Sequence, residues 1–262
     1  METVTHGGRT TAYERAGDDR EGASVLYVHG SGANREVWRA QLDDGPHPAI
    51  ALDLSGHGDS EDVDADAGYE ALSAYADDVL AVIEATDPEI LVGNSLGGAI
   101  CLHLVLERDV SPAGLVLTGT GAKLAVMDDL RAWLDEEFDR AIAFLHAENR
   151  LFHDPAHPAV ENSKATMREV GQATTRRDFE TCHRFDVRRQ LGEIDAPTLA
   201  VCGEHDGLTP PRYHEYLAEN VPNATATMLA DAAHLAMIER PEAFDDALSG
   251  FVHEVGDGTH RS

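Results

Sequence analysis

The 262-residue chain predicts an α/β fold: a mostly parallel, twisted sheet of about eight strands wrapped by helices, with one helical segment inserted. Three observations carry that prediction. Short, almost uninterrupted apolar runs recur along the chain. Segments with apolar residues at helical spacing separate them. Between about residues 120 and 190 the helical pattern continues with no strand-length run inside it.

Residues 2–5 and 9–15 read as an antiparallel start. "SVLYVHG" (24–30), "AIALDL" (49–54), "EILVGN" (89–94), "AGLVLTG" (113–119), "PTLAVCG" (197–203) and "ATATMLA" (224–230) then follow as strands. They are continuous rather than alternating, which suits strands buried on both faces of a parallel sheet. "YEALSAYADDVLAVIEA" and "LGGAICLHLVLER" carry apolar residues at helical spacing, so the repeating unit is strand, helix, strand. "LAVMDDLRAWLDEEFDRAIAFLHAE" and "AVENSKATMREVGQATTRRDFETCH" read as helices with nothing extended between them. Leu124, Met127, Leu130, Leu134, Phe138 and Ile142 form an apolar stripe, read first as packing and second as a ligand surface. The expected division is a core of residues 1–119 and 191–262 with a helical cap, 120–190, over one sheet edge. The closing "EVGDGTHRS" reads as a loose tail.

Composition narrows the partners. Forty-eight acidic against 20 basic residues give a formal net charge of −28, and Lys123 and Lys164 are the only lysines. Nucleic acid is excluded as a partner on that balance. Such a surface repels itself at low ionic strength, whereas molar salt screens the repulsion at a Debye length of about 3 Å. A salt-rich cytoplasm is therefore the expected setting, with an acidic, highly soluble protein of an ordinary cell as the alternative. No apolar run is long enough to span a membrane and no secretory signal opens the chain, so a soluble cytoplasmic protein without a membrane partner is expected. Cys101, Cys182 and Cys202 are too few and too scattered for a disulfide framework and read as buried free thiols.

The chemistry centres on "ILVGNSLGGAI" (90–100). Between a strand and a helix, Gly93-Asn94-Ser95-Leu96-Gly97 has the context in which G-x-S-x-G makes a nucleophile elbow. The turn strains the serine backbone and needs small residues where strand and helix nearly touch; Gly93, Gly97, Gly98 and Ala99 meet that need. The plainer alternative is a glycine-rich helix start with an N-cap serine. A serine hydroxyl needs a base, and the base needs a group that fixes its tautomer. Among 14 histidines, His234 in "LADAAHLAMIERPEAF" follows the last predicted strand, and Asp206 in "VCGEHDGLTPP" lies in the loop leaving the strand before it. Both should emerge at the sheet edge that carries Ser95.

On "VHGSGAN" (28–34), "LDLSGHGDS" (52–60), "GNSLGG" (93–98), and the pair "GEHDGLTPP" with "AAHLAMIERPEAF", the chain resembles the α/β-hydrolase fold superfamily from about residue 20 to residue 252. The resemblance implies Ser95 as nucleophile, Asp206 as the acid and His234 as the base. It places the oxyanion donors at the backbone N–H groups of Ser31 and Leu96, where one such donor is typically worth about 3 kcal/mol. His29 is expected to brace the Gly30-Ser31-Gly32 loop, and Gly30, Gly93 and Gly97 to shape the supporting turns; a bare glycine turn is the alternative for "HGSG". The commoner pattern has Arg where this chain has Ser55, a departure expected to be structural. By the same resemblance "RRDFETCHRFDVRR" is the hinge where a cap rejoins the core, bringing Phe179, Cys182, His183 and Phe185 towards the pocket.

The implied activity is hydrolysis of a small or medium carboxylic ester, lactone or other acyl compound through an acyl-enzyme, with no cofactor and no metal. The expected partner is a small-molecule acyl substrate, with oligomeric state left open. The same residues also suit carbon–carbon bond hydrolysis, enol-lactone opening and cofactor-free perhydrolysis. Dehalogenase and epoxide-hydrolase chemistry is disfavoured because those families carry aspartate at the Ser95 position, and a non-catalytic ligand receptor is the remaining class. Two rival sites are set aside. Asp62, Asp64 and Asp66 alternate like the start of a calcium loop, but Ala67 and Ser73 stand where that loop needs Gly and Glu. His146, His153 and His157 lack a strong zinc spacing and read as exposed histidines.

Overall fold

The computed structural model describes residues 1–259. Its sheet has eight strands: β1 (Glu2–His6), β2 (Arg9–Ala16), β3 (Val25–Val28), β4 (Ala49–Leu52), β5 (Ile90–Asn94), β6 (Gly114–Thr118), β7 (Thr198–Gly203) and β8 (Ala224–Leu229). They lie in the order β1-β2-β4-β3-β5-β6-β7-β8. β1 and β2 run antiparallel to their neighbours, and β3 to β8 are parallel. The continuous apolar runs have a direct cause. Along β3, Leu26 and Val28 face one side of the sheet and Val25 and Tyr27 the other, and all four are buried. β8 is an edge strand with Thr225, Ala226 and Met228 exposed, which accounts for its weaker apolar character.

Helices fill both faces. α2 (Tyr69–Thr86), α3 (Leu96–Glu107) and α8 (Pro211–Asn220) bury Leu72, Tyr75, Val79, Ile100 and Leu217 in one layer. α1 (Arg39–Asp43), α9 (Ala236–Glu239) and α10 (Pro241–Thr259) bury Leu42, Met237, Phe244 and Leu248 in the other. The "EVGDGTHRS" expectation is corrected here: residues 254–259 continue α10 instead of forming a tail, and 260–262 lie outside the described residues.

Between β6 and β7 run four helices: α4 (Asp128–Glu136), α5 (Phe138–Leu145), α6 (Ala159–Val170) and α7 (Gln172–Arg184). A lone antiparallel bridge between Lys123 and Asp186 joins the two ends of this segment. The two long helical stretches read from sequence are each broken. Gly171, at φ 86, is in the left-handed region that glycine adopts without strain, and its N–H donates to the Met167 carbonyl to close α6. Glu137 leaves the helical region at φ −136 and separates α4 from α5. The apolar stripe splits accordingly: Leu134 and Ile142 are packed inside, whereas Leu124, Met127 and Leu130 line a cavity. All three cysteines are free and buried. Among the described residues no helix is long and apolar enough to cross a membrane.

The topology sets where a site can form. From β3 the chain goes to β4 on one side and then to β5 on the other, so the strand order reverses between β3 and β5. The loops leaving those two strands diverge and leave a crevice at their carboxyl ends. "HGSG" leaves β3 there, and Ser95 leaves β5.

Candidate active site

Ser95 joins β5 to α3 with φ 54 and ψ −113, a conformation that costs a non-glycine residue about 1–3 kcal/mol and persists only where its surroundings enforce it. Those surroundings are explicit. The Ser95 N–H donates to the Thr118 carbonyl at 3.0 Å, and the Ser95 carbonyl accepts from Thr120 Oγ1 at 2.8 Å. Thr120 is held in turn by its N–H donating to His214 Nε2 at 3.2 Å, and burial pushes the His214 imidazole down to about 4, keeping it neutral and able to accept. A side chain at Gly93 would strike the Gly97 backbone, and one at Gly97 would strike the Val28 carbonyl, so both glycines serve close approach.

Asp206 and His234 come together from the loops after β7 and β8. His234 Nδ1 lies 2.9 Å from Asp206 Oδ2, and both side chains are almost fully buried. Asp206 Oδ1 accepts from the N–H groups of Leu208 and Thr209 at 2.8 and 2.9 Å, and Oδ2 accepts from Thr209 Oγ1 at 2.7 Å. Burial alone would raise the Asp206 carboxyl; the His234 imidazole and the Thr209 donors outweigh it and hold the carboxyl below its usual range. A carboxylate facing Nδ1 fixes the proton there and leaves the Nε2 lone pair free. The His234 backbone is pinned as well, its N–H donating to the Arg150 carbonyl and its carbonyl accepting from Asn94 Nδ2, the neighbour of Ser95.

The "HGSG" loop faces this pair. His29 Nε2 accepts from the Leu54 N–H at 3.1 Å, which leaves Nδ1 to donate to the Gly30 carbonyl at 2.8 Å. Burial and then the nearby His57 push the His29 imidazole down to about 3, so the neutral ring holds both bonds. From α7, Asp178 accepts the Gly32 N–H at 3.0 Å, His57 Nε2 at 2.9 Å and the Tyr75 hydroxyl at 2.7 Å. His57 Nδ1 meets the Ser55 carbonyl at 3.0 Å, so both ring nitrogens face acceptors and both carry protons. Burial opposes each charge, but the pairing wins: His57 is raised and Asp178 lowered. No sequence signal marks Asp178, because its partners lie 146, 121 and 103 positions earlier.

Ser95 and His234, with Gly30, Ser31 and Gly32, line one cavity of about 140 Å³. Leu124, Met127, Leu130, Phe144, Met167 and Phe179 from the helical segment supply its apolar wall. Residues 25–247 match the alpha/beta hydrolase family. The chain belongs to that family. A pimeloyl-[acyl-carrier protein] methyl ester esterase of Neisseria meningitidis is 28% identical over 88% of this chain and 94% of its own. A Variovorax paradoxus protein named as a carbamate hydrolase is 30% identical over 90% of this chain and 93% of its own. Among solved structures, a thermophilic esterase superimposes with a TM-score of 0.87 at 28% identity, covering 97% of this chain and 98% of its own.

Within this hydrolase frame some expectations need correction. Phe179 and Cys182 line the cavity, but Phe185 is buried in the core and His183 accepts the Val126 N–H outside it. Where Ser55 replaces the commoner arginine, Arg9 reaches in from β2 instead, donating to Ser55 Oγ at 2.9 Å and Asp78 Oδ1 at 2.8 Å. Asp62 sits on an exposed loop and pairs with Arg177. His146 is buried, not exposed, with Nε2 2.9 Å from Ser163 Oγ. His153, His205 and Asp231 each offer a ligand atom within 4.8 Å of the others. The two imidazoles, however, are stacked face to face at 4.0 Å and 16°, so their in-plane lone pairs do not converge on one ion, and Asp231 is paired with Arg240.

Proposed function

We propose that the protein is a serine hydrolase that cleaves a small or medium carboxylic ester through an acyl-enzyme. The observation that carries this reading is the 2.9 Å Asp206–His234 contact, which leaves His234 Nε2 with a free lone pair in the cavity that also holds the strained Ser95. Ser95 Oγ attacks the ester carbonyl as His234 takes its proton. The negative charge that forms on the carbonyl oxygen is met by the backbone N–H groups of Ser31 and Leu96, on the loop after β3 and at the first residue of α3. The imidazolium returns the proton to the departing alcohol, and water repeats the sequence on the acyl-enzyme to release the acid and restore Ser95.

Helices α4 to α7 act as a cap, supplying most of the apolar wall. A cavity of about 140 Å³ is close to the roughly 150 Å³ that accommodates a benzene-sized group, which favours short acyl chains over polymers. The esterase relatives support the same bond type. Three buried free thiols suit a reducing cytoplasm as the working compartment. Ser95→Ala should abolish turnover of p-nitrophenyl butyrate while the circular dichroism spectrum and melting temperature stay near those of the parent. Full turnover by the folded variant contradicts the proposal.

A further inference from the structure

In a chain of net charge −28, the wall of the cavity carries a single Asp, Glu, Lys or Arg among its described residues, and that residue is a cation, Arg150. Among the described residues the side chain pairs with no carboxylate. Its Nε is buried with no hydrogen-bond partner among the described residues, and its guanidinium stacks on the Phe144 ring at 3.5 Å from the centroid. Phe144 is itself held by an edge contact with Trp133 at 5.2 Å. Stacking fixes the plane of a guanidinium but uses only its face, leaving the N–H edge to donate. The arginine backbone is fixed too: its carbonyl accepts the His234 N–H, and the next residue, Leu151, donates to the Leu145 carbonyl. Three other arginines show the contrast: Arg9, Arg35 and Arg177 are each paired with an aspartate. A buried donor without a partner is costly and is satisfied by whatever acceptor occupies the site.

We propose that Arg150 forms an anion subsite inside the cavity, so that the ester this protein hydrolyses carries a carboxylate on its acyl or its alcohol portion. The substrate class rests on the esterase reading above; the subsite itself does not. A carboxylate would take the N–H edge of Arg150 while its chain lies along Leu151, Leu208 and Leu235. The net negative field of the molecule disfavours any anion, so the selectivity must be local.

The test compares matched pairs at fixed ionic strength. Monomethyl glutarate against methyl pentanoate places the charge on the acyl side, and 4-acetoxybenzoate against 4-acetoxybenzamide places it on the alcohol side. In the parent protein one anionic ester should exceed its neutral partner in kcat/KM by about tenfold or more, the scale of a charge-assisted hydrogen bond. In Arg150→Met that ratio should fall to one or below. Arg150→Gln gives the same reading if Arg150→Met does not fold. Binding is measured separately by calorimetry on Ser95→Ala, where monomethyl glutarate or 4-acetoxybenzoate should bind more tightly than its neutral partner and lose that advantage when Arg150→Met is added. Ratios and affinities that ignore position 150, or neutral esters preferred throughout, overturn the subsite. If the calorimetric preference tracks Arg150 but none of the four esters is turned over, the subsite stands and the esterase reading falls.

Discussion

At Ser95, on the wall of the cavity, the strained backbone is held by its bonds to Thr118 and Thr120. In the proposed mechanism His234 acts on Ser95 only in the tautomer that Asp206 selects. In Asp206→Asn the amide would donate to Nδ1 and move the ring proton to Nε2, the wrong nitrogen. We expect kcat for p-nitrophenyl butyrate to fall about ten-thousand-fold with the melting temperature nearly unchanged. A loss below tenfold would show that Asp206 does not set the tautomer. The sequence marks Ser95, Asp206 and His234 by their neighbours, glycines around the serine and strand ends before the other two, and the structure pairs Asp206 with His234 and sets His234 and Ser95 on one cavity. Thr120, His214 and Asp178 carry no such mark, because each acts through a contact that exists only once distant segments have folded together.

Among elements, α7 ties the helical segment to the core through buried polar contacts. Asp178 satisfies the Gly32 N–H, the His57 imidazolium and the Tyr75 hydroxyl at once, and Arg177 beside it donates to Tyr75 Oη at 2.9 Å. Asp178→Ala would leave three buried donors unpaired, a loss of about 3–5 kcal/mol, read as a fall of roughly 10 °C in melting temperature. The pair also fixes a pH window. Asp178 is depressed, so its contribution is complete above the unfolded carboxylate value of about 4 and is lost as pH falls through the folded one. His57 is raised, so its contribution is complete below the unfolded imidazole value of about 6.5 and is lost as pH rises through the folded one. The gap in melting temperature between parent and Asp178→Ala should therefore be widest between about pH 4 and 6.5 and narrower on both sides. A gap that is flat across that range contradicts the ion pair. The strands, the antiparallel start and helices such as α2 and α3 were readable in the sequence, whereas α1 and α8 drew no reading. The breaks were not equally readable: Gly171 is a glycine in a helical run and so visible, whereas Glu137 is a residue with good helix propensity and marks no break in the sequence.

For the whole molecule, the balance of charge decides behaviour. Arginines are drawn into pairs such as Arg9–Asp78, Arg39–Glu14 and Arg131–Glu180, and the acidic excess on the remaining surface stays uncompensated. Screening should then stabilise the fold, and we expect the melting temperature to rise steadily from dilute buffer to molar KCl. A melting temperature indifferent to salt would remove the argument for a salt-rich setting. The parallel class of the sheet and the net charge were both legible at this scale, since strand-helix repeats imply parallel strands and charge follows from composition; the strand order, with its reversal between β3 and β5, was not. The cavity wall was not, because it is assembled from one or two side chains of each of several helices, as with Met127, Phe144 and Phe179. The central claim, a serine activated by His234, is tested most directly by treating the parent and His234→Ala with a fluorophosphonate probe and locating the adduct by peptide mass spectrometry. The account predicts one adduct, on the Ser95 peptide of the parent, and none in His234→Ala; an unlabelled parent, or an adduct on another residue, contradicts it.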